Sequence, residues 1–258
     1  MSAPEVELSI VIPAYNEERR LPPTLEKIGA WIAAKGITAE VLVVDDGSTD
    51  GTASLVEKTA AQFPRLRVLP NGRNFGKGYS VRQGMREARG RIGLFTDADL
   101  SAPIEEADKL LAALETADVA FGSRALNRKL ISVHQSRLRE LAGILFNKLV
   151  QVVLWIPFVD TQCGFKAFRM ERARILFEQQ RIERFGFDPE LLYLARHHGL
   201  RAVEIPVRWA HDPETKVHVY RDSLRMLGEL FAIRWNRLCG RYPLRKVPDS
   251  RGATNAGV

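Results

Sequence analysis

Cysteine is scarce in this sequence. Its 258 residues include two, Cys163 and Cys239, which form neither a spaced zinc motif nor a disulfide framework. A chain of this length buries roughly 70–75% of its unfolded surface and needs no disulfides to fold. With 45% hydrophobic and 27% charged residues, the composition is that of an ordinary globular protein. Disordered, collagen-like and small disulfide-stabilised chains are therefore excluded.

The sequence also lacks a long hydrophobic run. A membrane-spanning helix needs about 20 largely apolar residues, whereas the most apolar segment, residues 141–159, contains Asn147, Lys148 and Gln151. We expect a helix there that is either buried or lies on a membrane surface. Residues 1–7 contain acids and no apolar core, so no signal peptide is predicted. We therefore expect a cytoplasmic protein, with any membrane contact peripheral and on the cytoplasmic face.

Two common phosphate-binding motifs are missing. The segment NGRNFGKG at residues 71–78 has three residues between Gly72 and Gly76, where a Walker loop has four, and Gly78 follows Lys77 in place of Ser or Thr. The glycine fingerprint of dinucleotide-binding folds does not follow the first predicted strand. The first absence excludes a P-loop NTPase, and the second argues against a dinucleotide dehydrogenase. The segment still allows a glycine-rich turn that brings Lys77 to a nucleotide.

Negative charge is in deficit. The 38 Lys and Arg residues exceed the 31 Asp and Glu residues, which gives a formal net charge of +7. Such a balance indicates an anionic partner, such as a nucleic acid, an acidic membrane surface or a phosphorylated substrate. No nucleic-acid recognition motif is present, so we expect no nucleic-acid partner. The sequence leaves the oligomeric state open.

Short apolar runs alternate with amphipathic segments over the first 120 residues. Strands are predicted at residues 8–14, 40–46, 65–69, 91–99 and 117–123, with helices between them. This alternation predicts an α/β fold with a mainly parallel central sheet flanked by helices. Beyond residue 123, strands are predicted at 165–169 and 201–209, and helices at 187–198 and 220–242.

Carboxylates lie at the carboxyl ends of two of the predicted strands. Asp97 and Asp99 are two residues apart, so in an extended segment their side chains point to one side and repel each other unless a cation lies between them. Solvated turn aspartates are the alternative. Asp45 and Asp46 end the second strand, and a turn with a helix cap explains the residues after them fully but these two less well. Since ligands bind beyond the carboxyl ends of such strands, we expect a site there.

Eight motifs carry a resemblance to a known family. IVIPAYNEE, VLVVDDGSTDGT, NFGKGYSVRQGM, FTDADLS and FGSR, in this order, resemble the family 2 inverting glycosyltransferases with the GT-A fold. TQCGFKAFR, RFGFDPELLYLARHHGLRAVEIPVRW and DSLRML resemble the branch that acts on polyprenyl phosphates, the dolichyl-phosphate glucosyltransferases in particular. The similarity covers about residues 8–230. It implies one GT-A domain over residues 1–242, with a nucleotide-sugar half at about 7–123, an acceptor side at about 124–242 and a tail at 243–258.

The resemblance implies roles for the residues at the carboxyl edge of the sheet. Asp97 contacts the nucleotide sugar, and Asp99 with Asp97 binds the Mg²⁺ or Mn²⁺ ion that bridges the donor diphosphate. Ser101 stands where some relatives have a glutamine ligand and is a weaker candidate. Lys77 reaches the nucleotide, and Asp46 binds its base or ribose. The expected nucleotide-sugar pocket comprises Pro13, Ala14, Tyr15, Glu17, Asp45, Asp46, Lys77 and Asp97.

The implied reaction moves a hexose, glucose from UDP-glucose, to a polyprenyl or dolichyl phosphate. Arg124 is expected to act in catalysis with Asp97 and Asp99 by facing a phosphate, and Gln162, Lys216 and Arg221 are expected on the acceptor side. A phosphate monoester with a second pKa of about 6 is largely ionised at pH 7, so its attack needs no general base. In-line attack gives a β-linked product from an α-linked donor. Mannose from GDP-mannose, a soluble or glycan acceptor, and the choice of metal stay open.

The remaining motif residues have simpler interpretations. A turn that enters a strand explains Gly164, Cys163 is expected to be a packed thiol, and Asp188 is a helix cap or a residue that shapes the site. The basic helix at 220–242 places five apolar residues on one predicted face: Leu224, Leu227, Leu230, Phe231 and Trp235. This face fits an interfacial anchor, a contact with the sheet or a dimer contact.

Overall fold

A computed structural model gives the fold of the chain and describes residues 6–60, 63, 65–133, 137–211, 219–245 and 247. The strands are β1 (Leu8–Ala14), β2 (Ala39–Asp45), β3 (Leu66–Pro70), β4 (Ile92–Phe95), β5 (Val119–Ser123), β6 (Ile131–Val133), β7 (Lys166–Arg169), β8 (Ala202–Pro206) and β9 (Trp209–Ala210). The helices are α1 (Leu21–Lys35), α2 (Thr52–Ala60), α3 (Lys77–Glu87), α4 (Ala107–Ala113), α5 (Arg137–Leu154), α6 (Met170–Gln179), α7 (Phe187–His197) and α8 (Val219–Leu238). Short 3₁₀ turns lie at Ile104–Glu106 and Arg128–Leu130.

The central sheet has seven strands in the order β3-β2-β1-β4-β7-β5-β8. β1 pairs in parallel with β2 and β4, β2 with β3, and β5 with β8, while β7 is antiparallel to β4 and β5. β6 and β9 form a separate parallel pair. The predicted α/β fold with a mainly parallel sheet flanked by helices is confirmed.

The reversed strand β7 changes what lies at the carboxyl edge of the sheet. Its first residue, Lys166, pairs with Phe95 at the end of β4 and with Phe121 of β5. The segment before β7, which contains Gly164, therefore lies at the edge where the parallel strands end. Chain order and spatial order differ there, because β7 is inserted between β4 and β5.

Both faces of the sheet are buried. Ile10 and Ile12 of β1 belong to one hydrophobic cluster with Leu21 of α1, whereas Val11 belongs to a second cluster with Val81 of α3. Successive residues of a strand point to opposite faces. A strand covered on both sides is therefore apolar at nearly every position, which explains the uninterrupted runs in the sequence.

Two elements escaped the sequence analysis. α6 carries several charged residues, yet its buried positions recur at helical spacing at Met170, Ala173, Leu176 and Phe177, a pattern that could have identified it. β6 has three residues, too few for a periodic signal. The apolar helix predicted at 141–159 begins earlier, as α5, and ends at Leu154.

α8 has two apolar faces, and the single predicted face is wrong. Leu230 is fully buried against the core together with Ile233, whereas Phe231 and Trp235 are 60% and 62% exposed. A helix of 3.6 residues per turn places residues 230 and 231 about 100° apart, so they face different surroundings. Within the described residues, no helix is long and apolar enough to cross a membrane.

Candidate active site

Two turns are joined at the carboxyl ends of β1 and β2. Asn16, in the left-handed region at φ 55°, donates its N–H to Ser48 Oγ (2.9 Å) and accepts the Thr49 N–H (2.8 Å) at Oδ1. The Glu17 N–H donates to Thr52 Oγ1 (2.8 Å). These bonds bring together the predicted donor-pocket residues of both turns, namely Pro13, Ala14, Tyr15, Glu17, Asp45 and Asp46.

Asp46 anchors the glycine-rich loop at residues 71–78. Its buried carboxylate accepts the side-chain amide of Asn71 (2.8 Å) and the backbone N–H groups of Phe75 (3.1 Å) and Gly76 (2.8 Å). A carboxylate with three donors is well satisfied within the protein. Asp46 thus fixes the loop that precedes Lys77, and its contact with a base or ribose stays a prediction.

Lys77 and Asp97 form an ion pair at the carboxyl edge of the central sheet. Lys77 begins α3, and its Nζ lies 2.5 Å from Asp97 Oδ1. Burial lowers the pKa of Lys77, but the carboxylates of Asp97, Asp188 and Asp99 outweigh burial and raise it. The lysine is therefore a firmly protonated cation beside Asp97, and its contact with a nucleotide stays a prediction.

Asp99 lies in a turn after β4, not on an extended segment as the spacing argument assumed. The turn is closed by the Leu100 N–H, which donates to the Asp97 carbonyl (3.2 Å), and Leu100 has φ 46°. Asp99 Oδ1 accepts the Ser101 N–H (2.9 Å), and Oδ2 lies 3.8 Å from Arg20 Nη1. Arg20 also binds both oxygens of Glu17, each at 2.6 Å. The sequence analysis did not identify Arg20 as part of the site.

The two aspartates fit a hard divalent cation that arrives with a phosphate ligand. Burial and the charge of Asp97 raise the pKa of Asp99, against the lowering effects of Ser101 and Arg20. Burial and the neighbouring carboxylate thus disfavour the ionised form of Asp99. Among the described residues, no group of three or more His, Cys, Asp or Glu side chains is arranged to hold a metal. Mg²⁺ typically needs one or two carboxylates and completes its shell with water and substrate phosphates.

Gly164 lies directly against Asp97. A Cβ added at Gly164 would lie 2.3 Å from Asp97 Oδ2 and 2.7 Å from Cγ, well inside the contact distance. The turn before β7 therefore forms the surface on which the Asp97 carboxylate rests. The sequence interpretation of Gly164 as a turn residue missed this contact, because it depends on the reversal of β7.

A buried ion pair lies beneath the site. Lys166 is fully buried and donates from Nζ to Asp188 Oδ1 (2.5 Å) and to the Cys163 carbonyl (2.6 Å). Burial raises the pKa of Asp188, partly offset by Lys166 and Lys77. Burial also raises the pKa of the Cys163 thiol to about 12, which leaves it protonated, as expected for a packed thiol. A lysine within an apolar strand, FKAFR, is the sequence signal that could have indicated this pair.

Arg124 lies at the end of β5, beside a pocket of about 130 Å³. Its Nε and Nη2 donate to the two oxygens of Asp160 (2.7 and 2.8 Å), and its guanidinium lies 5.4 Å from the Trp209 ring centroid. Burial lowers the pKa of Arg124, but Asp160 raises it above its usual range. The bonds to Asp160 use two of five N–H donors.

Two of the residues predicted on the acceptor side, Arg124 and Gln162, line this pocket. Apolar residues of the α5 region also line it, among them Ile144 and Val159. Lys216 lies outside the described residues. Arg221 is in α8, but its side chain is not among those described.

The sequence matches the family Glycosyl transferase family 2 over residues 9–176. It is 38% identical to a dolichyl-phosphate beta-glucosyltransferase of Drosophila melanogaster, over 95% of this chain and 79% of that protein. It is 33% identical to the human protein of the same name, over 95% of this chain and 80% of that protein.

Solved structures share the fold at lower identity. Glucosyl-3-phosphoglycerate synthase from Mycobacterium tuberculosis, in complex with Mn²⁺, UDP and glucosyl-3-phosphoglycerate, aligns with a TM-score of 0.61 at 19% identity, over 95% of this chain and 82% of that chain. A mannosyltransferase from Pyrobaculum calidifontis, in complex with GDP-Man and Mn²⁺, aligns with a TM-score of 0.58 at 23% identity, over 89% and 64% of the two chains. Both are glycosyltransferases with the predicted GT-A fold.

Proposed function

The chain belongs to glycosyl transferase family 2, and on that basis we propose that it transfers glucose from UDP-glucose to the phosphate of a polyprenyl lipid of the dolichyl type. The enzyme is a glycosyltransferase. The lipid phosphate and the sugar are inferred from relatives named dolichyl-phosphate beta-glucosyltransferase, which are 32–38% identical to this chain. The donor nucleotide is inferred from this family branch and from a structural neighbour in complex with UDP.

The observation that carries the proposal is the order of groups along the carboxyl edge. The strand order β2-β1-β4-β7-β5 sets Asp46 at one end, then the turn at Tyr15, then Asp97, then Gly164, and Arg124 at the other end. A donor bound over β2 and β1 would have its diphosphate at Asp97. An acceptor phosphate in the pocket beside Arg124 would approach from the opposite side, as in-line attack requires.

The acceptor supplies its own nucleophile in this reaction. An ionised phosphate oxygen forms a bond to the anomeric carbon, the bond from that carbon to the UDP oxygen breaks, and the electron pair leaves with UDP. No proton needs to be removed, since the monoester is largely ionised at pH 7. The protein's task is to hold two anions in line, for which Lys77, Arg20 and Arg124 supply positive charge.

Asp99, with Asp97, would hold the divalent metal, and Ser101 would support Asp99 through its hydrogen bonds. When bound, the metal would neutralise charge that develops on the leaving diphosphate. Lys77 lies 2.5 Å from Asp97 and is placed to bind a phosphate oxygen. Arg20 lies close to Asp99 and is placed to do the same.

We include in the proposal a peripheral membrane contact through α5 and α8. These helices pack on each other, and their large apolar side chains are exposed at Leu141, Ile144, Leu145, Val152, Leu224, Phe231, Trp235 and Leu238, with Trp155 just after α5. Arg234 lies 5.0 Å from the Trp155 ring centroid. Exposed tryptophans beside arginines suit the interface of an anionic membrane, and the pocket beside Arg124 is lined by the same helix α5.

The test follows label from donor to lipid. Purified protein, Mn²⁺ or Mg²⁺ and a polyprenyl phosphate are incubated in parallel with radiolabelled UDP-glucose and GDP-mannose, and label in the organic phase is counted. We expect label from UDP-glucose, abolished by EDTA and by Asp99→Asn, which keeps the size but removes the charge. Label in the organic phase from GDP-mannose alone would contradict the assignment of glucose as the transferred sugar. Donor-specific release of nucleotide without label in the organic phase would indicate a soluble acceptor in place of the lipid phosphate.

A further inference from the structure

A buried carboxylate on α7 lies at the start of a chain of contacts that ends at Lys77. Glu190 is fully buried. Its Oε1 accepts the Arg181 N–H and its Oε2 accepts the Ile182 N–H, both at 2.9 Å. Both carboxylate oxygens thus hold the backbone of the segment between α6 and α7.

Tyr242 fixes this carboxylate from the other side. The tyrosine is fully buried and donates from Oη to Glu190 Oε1 at 2.6 Å. It follows a turn at the end of α8, where Gly240 has φ 67°, and Asn236 of α8 donates to its hydroxyl at 3.3 Å. The end of α8 is thereby bound to α7 through Glu190.

The segment held by Glu190 packs against the glycine-rich loop. The Tyr79 N–H donates to the Glu183 carbonyl at 2.9 Å. A Cβ at Gly76 would lie 2.6 Å from the Glu183 carbonyl oxygen, and a Cβ at Gly78 would lie 2.7 Å from that of Ile182. The two glycines that flank Lys77 therefore allow a close backbone contact with this segment.

The loop is held by two sets of contacts, and Lys77 is the first residue of the helix that follows it. Asp46 binds the N–H of Gly76, and the segment bound by Glu190 contacts residues 76, 78 and 79. Lys77 lies between these two supports and reaches Asp97. A shift of the segment would move the loop and with it the ammonium group at the site.

We infer that Glu190, locked by Tyr242, is a positioning residue that sets the place of Lys77 for the donor diphosphate. The inference rests on the proposed function insofar as the ligand of Lys77 is a donor phosphate. Glu190→Gln keeps the size but replaces one carboxylate oxygen by an NH2 group, which cannot accept the backbone N–H that this oxygen binds. Tyr242→Phe removes only the hydroxyl that donates to the carboxylate.

The experiment measures UDP binding with Mn²⁺ by calorimetry and amide hydrogen exchange of residues 76–79. We expect Glu190→Gln to lower the affinity for UDP about five-fold, which is the effect of one hydrogen bond. It should also speed hydrogen exchange at the Tyr79 amide. Tyr242→Phe should show a smaller change of the same kind. Glu178→Gln is the matched control, since Glu178 lies on α6 and pairs with the exposed Arg245 near the end of the described chain. It should change neither quantity.

A double variant separates positioning from general destabilisation. If Glu190 acts through Lys77, Glu190→Gln should cause no further loss of UDP affinity in a Lys77→Ala background. In the wild-type background it should raise the KM for donor more than the KM for acceptor. Additive losses, or unchanged exchange at residues 76–79, would overturn the inference. Wild-type protein that binds neither UDP nor GDP would overturn the proposed function instead, while the exchange data would still decide whether Glu190 supports the loop.

Discussion

The position of the Asp97 carboxylate depends on the absence of a side chain at Gly164. The backbone at Gly164 occupies the space next to this carboxylate, so the pair of aspartates and Lys77 share a site that is closely packed on one side. Because the φ of Gly164 is not in the left-handed region, an alanine there is not strained by its backbone. The three atoms that its Cβ would approach most closely all belong to Asp97.

We predict that Gly164→Ala displaces Asp97 and lowers transfer and metal-dependent UDP affinity at least about ten-fold, with a smaller effect on stability. Transfer, UDP calorimetry with Mn²⁺ and thermal unfolding check this. Gly228→Ala is the control, since a Cβ there meets no atom within 4 Å. Wild-type UDP affinity in Gly164→Ala would show that Asp97 does not need its observed position.

The ionisation of Glu190 is expected to make the stability of the protein depend on pH. Burial raises its pKa from 4.5 to about 7 despite hydrogen bonds from Tyr242, Ile182 and Arg181. The folded protein thus binds a proton at this group between about pH 4.5 and 7, where the unfolded chain does not. Its contribution to stability is present at low pH and is lost as the pH rises through 7.

Urea unfolding of wild type and Glu190→Gln at pH 5.5 and pH 8 isolates this effect. The difference in unfolding free energy between the two proteins should shift by about 2 kcal/mol, with wild type relatively less stable at pH 8. Other titrating groups cancel in the comparison. A difference that is independent of pH would mean that the pKa of Glu190 is close to its usual value.

At the scale of elements, α8 has two different environments along its length. Leu230 and Ile233 bury one face against the core, while Phe231 and Trp235 remain exposed on another. Since exposed apolar side chains contribute little to folding, their removal should affect a surface interaction and not the fold.

We predict that Phe231→Ser/Trp235→Ser reduces sedimentation with anionic liposomes without lowering the melting temperature. Leu126→Ser is the control, because Leu126 is 47% exposed and lies on neither α5 nor α8. Sedimentation should also fall with salt, because arginines surround the apolar face. Equal sedimentation of all three proteins would remove the membrane contact from the proposal.

At the scale of the whole molecule, ligand binding should stabilise the fold. A ligand at 100 times its Kd adds about 2.7 kcal/mol to the stability of the folded state. Because the site collects residues from β1, β2, β4 and α3, unfolding of the sheet destroys it.

We therefore expect UDP with Mn²⁺ to raise the melting temperature by several degrees, and UDP with EDTA to raise it less. Asp99→Asn should remove the difference between these two conditions. An equal rise with and without metal in the wild-type protein would contradict metal binding by Asp99.

Much of the site was predictable from local sequence. The alternation of strands and helices predicted the sheet, and Asp46, Asp97 and Arg124 each lie within two residues of the end of a strand. Residues at the carboxyl ends of parallel strands lie at the same edge of the sheet, and this follows from the parallel pairing alone. This is why candidate site residues could be named before their contacts were known.

The sequence by itself determined which residues lie at that edge, because strand ends are marked by local composition. Tertiary structure alone decided what they contact. The direction of β7 put Gly164 against Asp97 and buried Lys166 against Asp188, and the packing of α7 placed Glu190 behind the loop of Lys77. Such contacts join segments far apart in the chain. Their geometry depends on how strands pair and helices pack, which the periodicity of a single segment does not encode.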